Sequence, residues 1–270
     1  MKSTATHCLG MVVLLSCWAN PAQAIYNGTP TTSFAAVARG VQVAPDWVFT
    51  ASHFLLGVGD TYSNGYGSRT VSAIYSAPGS TGFPANDFSL MRLAPVATTA
   101  APFLPVNGTP VPAGSFAPWD VTIASGSNSG PARGYGFTTI NESLLTYVDT
   151  ATNPATPYTV NWLLSIDSNI YVQGGDSGGG LFAGHAADSS VLMGISSAQL
   201  QNDLTLAPEG SAFVQPAAYR SWIDTTLLAD AADSQAVAWT TVVIPVPEPS
   251  GVLLGGMGLL IALAGARRRA

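Results

Sequence analysis

The sequence predicts an all-β protein, a sandwich or a pair of barrels, closed by one helix. Short runs rich in β-branched, aromatic and aliphatic residues recur at 41–55, 69–76, 87–93, 120–124, 133–139, 145–151, 161–166, 191–197 and 211–215, with turn residues between them. The stretch 94–119 is rich in Pro, Ala, Thr and Gly and has no sustained period, which reads as the connection between two lobes. Only 216–228 (PAAYRSWIDTTLL) reads as a helix, with Pro at its opening and apolar residues at helical spacing. No internal repeat interrupts this pattern.

The two ends read as sorting segments. Residues 1–24 have a cationic start at Lys2, an apolar stretch over 9–19 and Ala22-Gln23-Ala24 as a small-x-small cleavage site. That is the layout of a secretory signal, and signal peptidase acting there leaves Ile25 as the first residue. Leu14-Leu15-Ser16 before Cys17 is an imperfect lipobox, which offers lipidation at Cys17 as an alternative. At the other end, 229–245 reads as a linker, followed by Val246-Pro247-Glu248-Pro249-Ser250, an uncharged apolar stretch over 251–266, and Arg267-Arg268-Arg269. The stretch 251–266 is slightly short for a bilayer span. Over 246–270 the three-part pattern resembles the PEP-CTERM sorting tail of Gram-negative bacteria. The resemblance implies an exosortase-type sorting enzyme as partner, removal of the tail, and delivery to the cell surface or extracellular matrix. A plain C-terminal membrane anchor is the alternative, and in either case the membrane is met only through the tail.

Composition excludes several classes of function. Charged residues make up 9% of the chain and the net charge is −6. The body keeps five arginines (Arg39, Arg69, Arg92, Arg133, Arg220) and no lysine, so its surface repels phosphate backbones and nucleic acid is not an expected partner. Both cysteines, Cys8 and Cys17, precede the cleavage site, which leaves the mature body without disulfides or a thiolate metal site. With His53 and His185 as the body's histidines, neither a metal nor another cofactor is expected. The matches to N-glycosylation sequons at Asn27, Asn107 and Asn141 read as chance in a bacterial chain.

The chemistry centres on Gly174-Gly175-Asp176-Ser177-Gly178-Gly179-Gly180. Glycines allow a tight turn and leave peptide N–H groups uncovered, so a serine among them can attack a carbonyl while those groups hold the oxyanion. Upstream, the apolar run 47–50 delivers His53 just past its end, and Asp87 opens the run DFSLMRL. Each residue alone has an ordinary structural reading: a core histidine, a strand-capping acid, a polar turn. Together, in the order His, Asp, Ser, they form a relay in which Asp87 orients His53 and His53 takes the proton of Ser177. The same serine also satisfies G-x-S-x-G, but that elbow needs an acid and then a histidine downstream. The only later histidine, His185, follows too closely and reads as a loop residue.

The motifs TASH, NDFSLMRL and GGDSGGG in combination resemble those of the trypsin/chymotrypsin family of serine proteases, over about residues 25–228. The resemblance implies two six-stranded antiparallel β-barrels, about 25–105 and 120–215, with the active site between them and a C-terminal helix. It implies a polypeptide substrate, a monomer, and an oxyanion hole from the N–H groups of Gly175 and Ser177. It also implies that the freed α-amine of Ile25 pairs with Asp176. By the same resemblance Tyr171 lies at the base of the specificity pocket, and Ser197, Ala198 and Gln199 form the strand that pairs with substrate. Tyr171 in place of an acid, and Gln199 in place of a glycine, imply a reduced pocket for small or polar side chains. A protease-shaped binding or matrix protein that cleaves little is the reading from another class.

Overall fold

The computed structural model describes residues 25–53, 56–96, 103–126, 133–148, 157–185, 190–201, 205–230 and 235–244. The expected signal segment 1–24 with Cys17, and the expected tail 246–270, lie outside them. Among the described residues no helix is long and apolar enough to cross a membrane.

Two short strands, β1 (Ile25–Tyr26) and β2 (Thr29–Thr31), are the first described elements. They are followed by β3 (Val41–Ala44), β4 (Trp47–Thr50), β5 (Thr61–Asn64), β6 (Gly67–Ser76) and β7 (Ser89–Leu93). The last five form an antiparallel sheet in the order β3-β4-β7-β6-β5. Its edges are drawn together where Gly65 N–H donates to the Ala35 carbonyl (2.7 Å), Asn64 Nδ2 to Gln42 Oε1 (2.8 Å) and the Tyr62 hydroxyl to the Gly40 carbonyl (2.9 Å). Val48, Tyr62, Val71, Met91 and Leu93 fill the space this curl encloses.

The second half contains β8 (Val106–Asn107), β9 (Gly114–Gly126), β10 (Arg133–Val148) and β11 (Pro157–Ser165). It continues with β12 (Tyr171–Val172), β13 (Gly180–Ala183), β14 (Leu192–Gln201) and β15 (Pro208–Val214). The path β13-β9-β10-β11-β15-β14 returns to its start through β13–β14 pairing, so these strands close a six-stranded barrel. Of the run expected at 145–151, 149–151 lie outside the described residues; 145–148 and the run expected at 133–139 belong to the one strand β10. Register shifts near Ile140 and Leu144 bend it from one neighbour to the next, and that bend breaks the alternation on which the sequence reading relied.

β1 and β2 pair with β12 and β10, so the first described residues belong to the second barrel and not to a first lobe starting at 25. The barrels meet directly, with Gly126 N–H donating to the Ala38 carbonyl (3.0 Å). A Cβ on Gly126 would lie 2.6 Å from the Ala38 backbone.

After β15 a 3₁₀ turn (Pro216–Tyr219) leads into α1 (Arg220–Ala229). Ile223 and Leu227, one helical turn apart, are its buried face. Asp230 ties the helix end to the first barrel by pairing with Arg92 and accepting from the Tyr75 hydroxyl (2.8 Å).

The expected linker 229–245 is not a free tether over 235–244. Gln235 makes two side-chain bonds of 2.8 Å to Asp46, which also pairs with Arg69. Val237 and Ile244 are buried, and β16 (Trp239–Thr240) lies parallel to β8. The alternating apolar residues of this segment cover a strand edge, which its position between helix and tail concealed at the level of sequence.

Candidate active site

The site is assembled from the junction of the two barrels. Strand β4 is buried at all four positions, and its last residue, Thr50, bonds the Arg39 carbonyl through Oγ1 (2.8 Å). His53 leaves the strand three residues later and is caught twice by Asp87. Its backbone N–H donates to Oδ1 (2.9 Å) and its ring Nδ1 to Oδ2 (2.7 Å). Asp87 sits fully buried just before β7, on a loop held where Asn86 N–H donates to the Thr159 carbonyl (2.8 Å) across the barrel junction. Ser197, on β14, donates its hydroxyl to Asp87 Oδ2 at 2.6 Å. A carboxylate only accepts, so the hydrogen on His53 is placed at Nδ1 and the lone pair at Nε2. That lone pair faces Ser177 Oγ at 2.7 Å.

Ser177 is presented by a turn that only this glycine pattern permits. Gly178 has φ +87°, and a Cβ there would lie 2.1 Å from the Arg39 carbonyl oxygen and 2.7 Å from Thr50 Oγ1. The turn is pinned to β14 by Gly178 N–H to the Ser196 carbonyl (2.9 Å) and Ser196 N–H to the Gly179 carbonyl (2.7 Å). Gly175 takes φ +104°. The N–H groups of Gly175 and Ser177 make no hydrogen bond among the described residues, which leaves them as donors for an incoming oxygen.

Asp176 points the other way, into the protein, where it is buried. Its Oδ2 accepts the Gln173 N–H at 2.7 Å. Burial pushes its carboxyl up to about 7, against the opposing pull of the Gln173 N–H and the Arg39 charge. Ile25 is fully buried in the second barrel, paired with Val172 through β1 and β12. Its nitrogen is still part of the peptide to Ala24 in this chain, and no ion pair joins it to Asp176 among the described residues.

A cleft of about 160 Å³ opens beside Ser177, lined by Val172, Gln173, Gly174, Ser196, Ser197, Ala198 and Gln199. Three of the expected substrate-binding residues, Ser197, Ala198 and Gln199, therefore lie on it. Tyr171 does not: its ring stacks on Tyr26 at 4.5 Å, drawn there by the β1–β12 pairing. Val172, Gln173 and Ser196 are the residues the sequence reading missed. Their nearness to Gly174 and Ser197 in the chain was the available signal. A larger cavity of about 300 Å³, lined by 109–116 and 241–244, contains none of these groups. The described residues hold no cluster of three His, Cys, Asp or Glu side chains of the kind that ligates a metal. His185 stacks on Phe137 and bonds the Thr138 carbonyl (3.0 Å), away from Ser177.

A protein-family model described as Trypsin matches residues 20–223. Among solved structures, the chain is similar to an inactivated protease paralogue of the scabies mite, S-I1, with 14% identity and a TM-score of 0.50. The alignment covers 70% of this chain and 87% of that one. At that identity the likeness is one of fold. No curated protein matches the chain in sequence.

Proposed function

The chain belongs to the trypsin family, and from that premise we propose that it is a secreted serine endopeptidase. The observation that carries the proposal is the pair of 2.7 Å contacts that join Asp87 to His53 and His53 to Ser177. Ser177 Oγ attacks the carbonyl carbon of the peptide bond while His53 Nε2 takes its proton. The oxyanion that forms is held by the N–H groups of Gly175 and Ser177. As the tetrahedral species collapses, His53 returns the proton to the departing amine and an ester to Ser177 remains. Water, with its proton drawn off by His53, then releases the acid and restores the hydroxyl. Asp87, itself held by Ser197, keeps the ring in the tautomer this sequence needs.

Signal peptidase, cutting after Ala24, would supply both secretion and the α-ammonium of Ile25. The buried carboxyl of Asp176 supports that reading, because burial opposes its ionisation and a cation brought beside it from the same barrel would favour the charged form. The tail pattern supports sorting by an exosortase-type enzyme to the surface or extracellular matrix of a Gram-negative bacterium, with the protease acting as a monomer on polypeptide substrates.

The test is the intact mass of the secreted protein with and without a fluorophosphonate probe, which reacts only with an activated serine. A probe-sized increase on a chain beginning at Ile25, absent in Ser177→Ala, is the expected result. A folded, correctly processed chain that takes up no probe would overturn the proposal and leave a protease-shaped binding protein in its place.

A further inference from the structure

Resting on the endopeptidase reading, we infer that the cleft beside Ser177 selects an uncharged, hydrogen-bonding side chain at the acyl side of the cleaved bond. Glutamine, asparagine or threonine is that class. The first observation is the absence of charge. None of the eight residues lining the cleft is ionisable, and the residue expected to set its base, Tyr171, is turned onto Tyr26. An Arg, Lys, Asp or Glu side chain entering here would give up its hydration with no counter-charge to meet it.

The second observation is a set of polar groups without partners. Ser196 is fully buried, and its Oγ makes no hydrogen bond. Gln199 Oε1 accepts from Gln201 Nε2 (3.2 Å), but the Gln199 amide NH₂ makes no hydrogen bond among the described residues. Gln173 spends its backbone N–H on Asp176, and its side-chain amide likewise has no partner among them. Buried polar groups in folded proteins are almost always satisfied, and Ser196, a residue of the cleft wall, carries a buried hydroxyl that has no partner among the described residues. These three residues offer both donors and acceptors, which suits an amide or a hydroxyl better than an alkyl chain.

Size gives the third constraint. A cavity of about 150 Å³ holds a benzene-sized group, and this cleft, at about 160 Å³, must also admit the substrate backbone near Ser177. The side chains of Asn, Thr and Gln fit that space; an indole does not. Val172, on the cleft wall, is held in place by its N–H bond to Ser211 Oγ (2.9 Å).

The experiment uses secreted enzyme whose active sites have been counted with the fluorophosphonate probe. Peptides differing only at the acyl-side residue are cleaved in competition and read by mass spectrometry. Cleavage after Gln, Asn or Thr is expected to exceed that after Leu, Phe or Arg by about tenfold or more per titrated site. In Ser196→Ala, and separately in Gln199→Leu, the ratio of Gln to Leu cleavage should fall several-fold. Dominant cleavage after Arg, Lys or an aromatic residue, or an unchanged ratio in both variants, overturns the inference while the endopeptidase reading stands. A chain that neither takes the probe nor cleaves any peptide overturns both.

Discussion

The buried carboxyl of Asp176 gives the reading of Ile25 a thermodynamic consequence. The perturbation is the N-terminus itself: one protein begins at Ile25, the other keeps a few residues ahead of it. In the extended protein Asp176 titrates near 7 because burial opposes its ionisation, whereas in the unfolded chain it titrates near 3.8. An upward shift means that the native state holds its proton to higher pH. Stability is therefore fully present below about pH 4, falls as pH rises, and levels off above about 7. A shift from 3.8 to about 7 corresponds to a loss of about 4 kcal/mol across that window. In the protein beginning at Ile25, an ammonium next to the carboxylate favours its charged form and pulls its pKa back down, so most of that loss disappears. Urea unfolding followed by tryptophan fluorescence at pH 5 and pH 7.5 reads the difference. Asp176→Asn in the extended protein, which removes the titrating group, isolates its contribution from that of other carboxyls. Equal pH slopes in the extended and Ile25-first proteins would refute the reasoning, because they would mean that the freed amine never reaches Asp176.

Three further outcomes are expected. Asp87→Asn sets an NH₂ against one of three donors, the His53 N–H, the His53 ring N–H or the Ser197 hydroxyl, and so favours the wrong tautomer of His53. Steady-state kinetics should show kcat lower by about 10⁴ with little change in KM. Tyr219→Phe removes a hydroxyl that donates to Asn86 Oδ1 (2.8 Å) and accepts from Asn161 Nδ2 (3.0 Å). Because Asn86 positions the Asp87 loop, we expect both a loss of about 1–3 kcal/mol in urea unfolding and a reduced kcat. Truncation after Leu228 removes the Gln235 bonds to Asp46 and uncovers the sites of Val237 and Ile244. At about 1.5–3 kcal/mol per buried aliphatic side chain, calorimetry should show a large drop in Tm, whereas truncation after Ile244 should retain the Tm of the full chain.

His53, Asp87 and Ser177 were legible in the sequence because each is announced by local chemistry: an apolar strand before it, an acid at a strand start, a glycine pattern that few other structures need. The distance between them was not local information, yet their order along the chain stood in for it. The pocket was legible only in part. Ser197, Ala198 and Gln199 are consecutive on one strand, so placing one placed all three, although the pairing with β15 slips at Ser197. Tyr171 failed because its ring orientation depends on Tyr26, a partner distant in sequence that comes to it through a two-residue strand pairing. The orphan hydroxyl of Ser196 has no sequence signature at all, since nothing in a run of Ile-Ser-Ser-Ala tells which serine finds a partner. The docked segment 235–244 was hidden for a related reason: it adds to a strand edge of only two residues, β8, which composition alone assigns to a connection.

The placement of that segment ties the C-terminal end of the described residues to both barrels. Strand β9 runs from Gly114, beside the cavity shared with Val242 and Ile244, to Gly126 at the barrel junction. Near that second end Ser125 Oγ bonds the Asp176 carbonyl (3.3 Å). Thirteen extended residues at about 3.3 Å each give a contour of roughly 40 Å between the two ends. In the first barrel, Gln235 holds Asp46 at the start of β4, while His53 follows its other end. Asp46 and His53 thus sit at opposite ends of β4. The 3₁₀ turn ahead of α1 touches the loop of Asp87 through Tyr219 and Asn86. The described C-terminal part of the chain therefore divides in two: a turn and helix whose Tyr219 braces the Asp87 loop, and a segment over 235–244 that packs on β8 and Asp46.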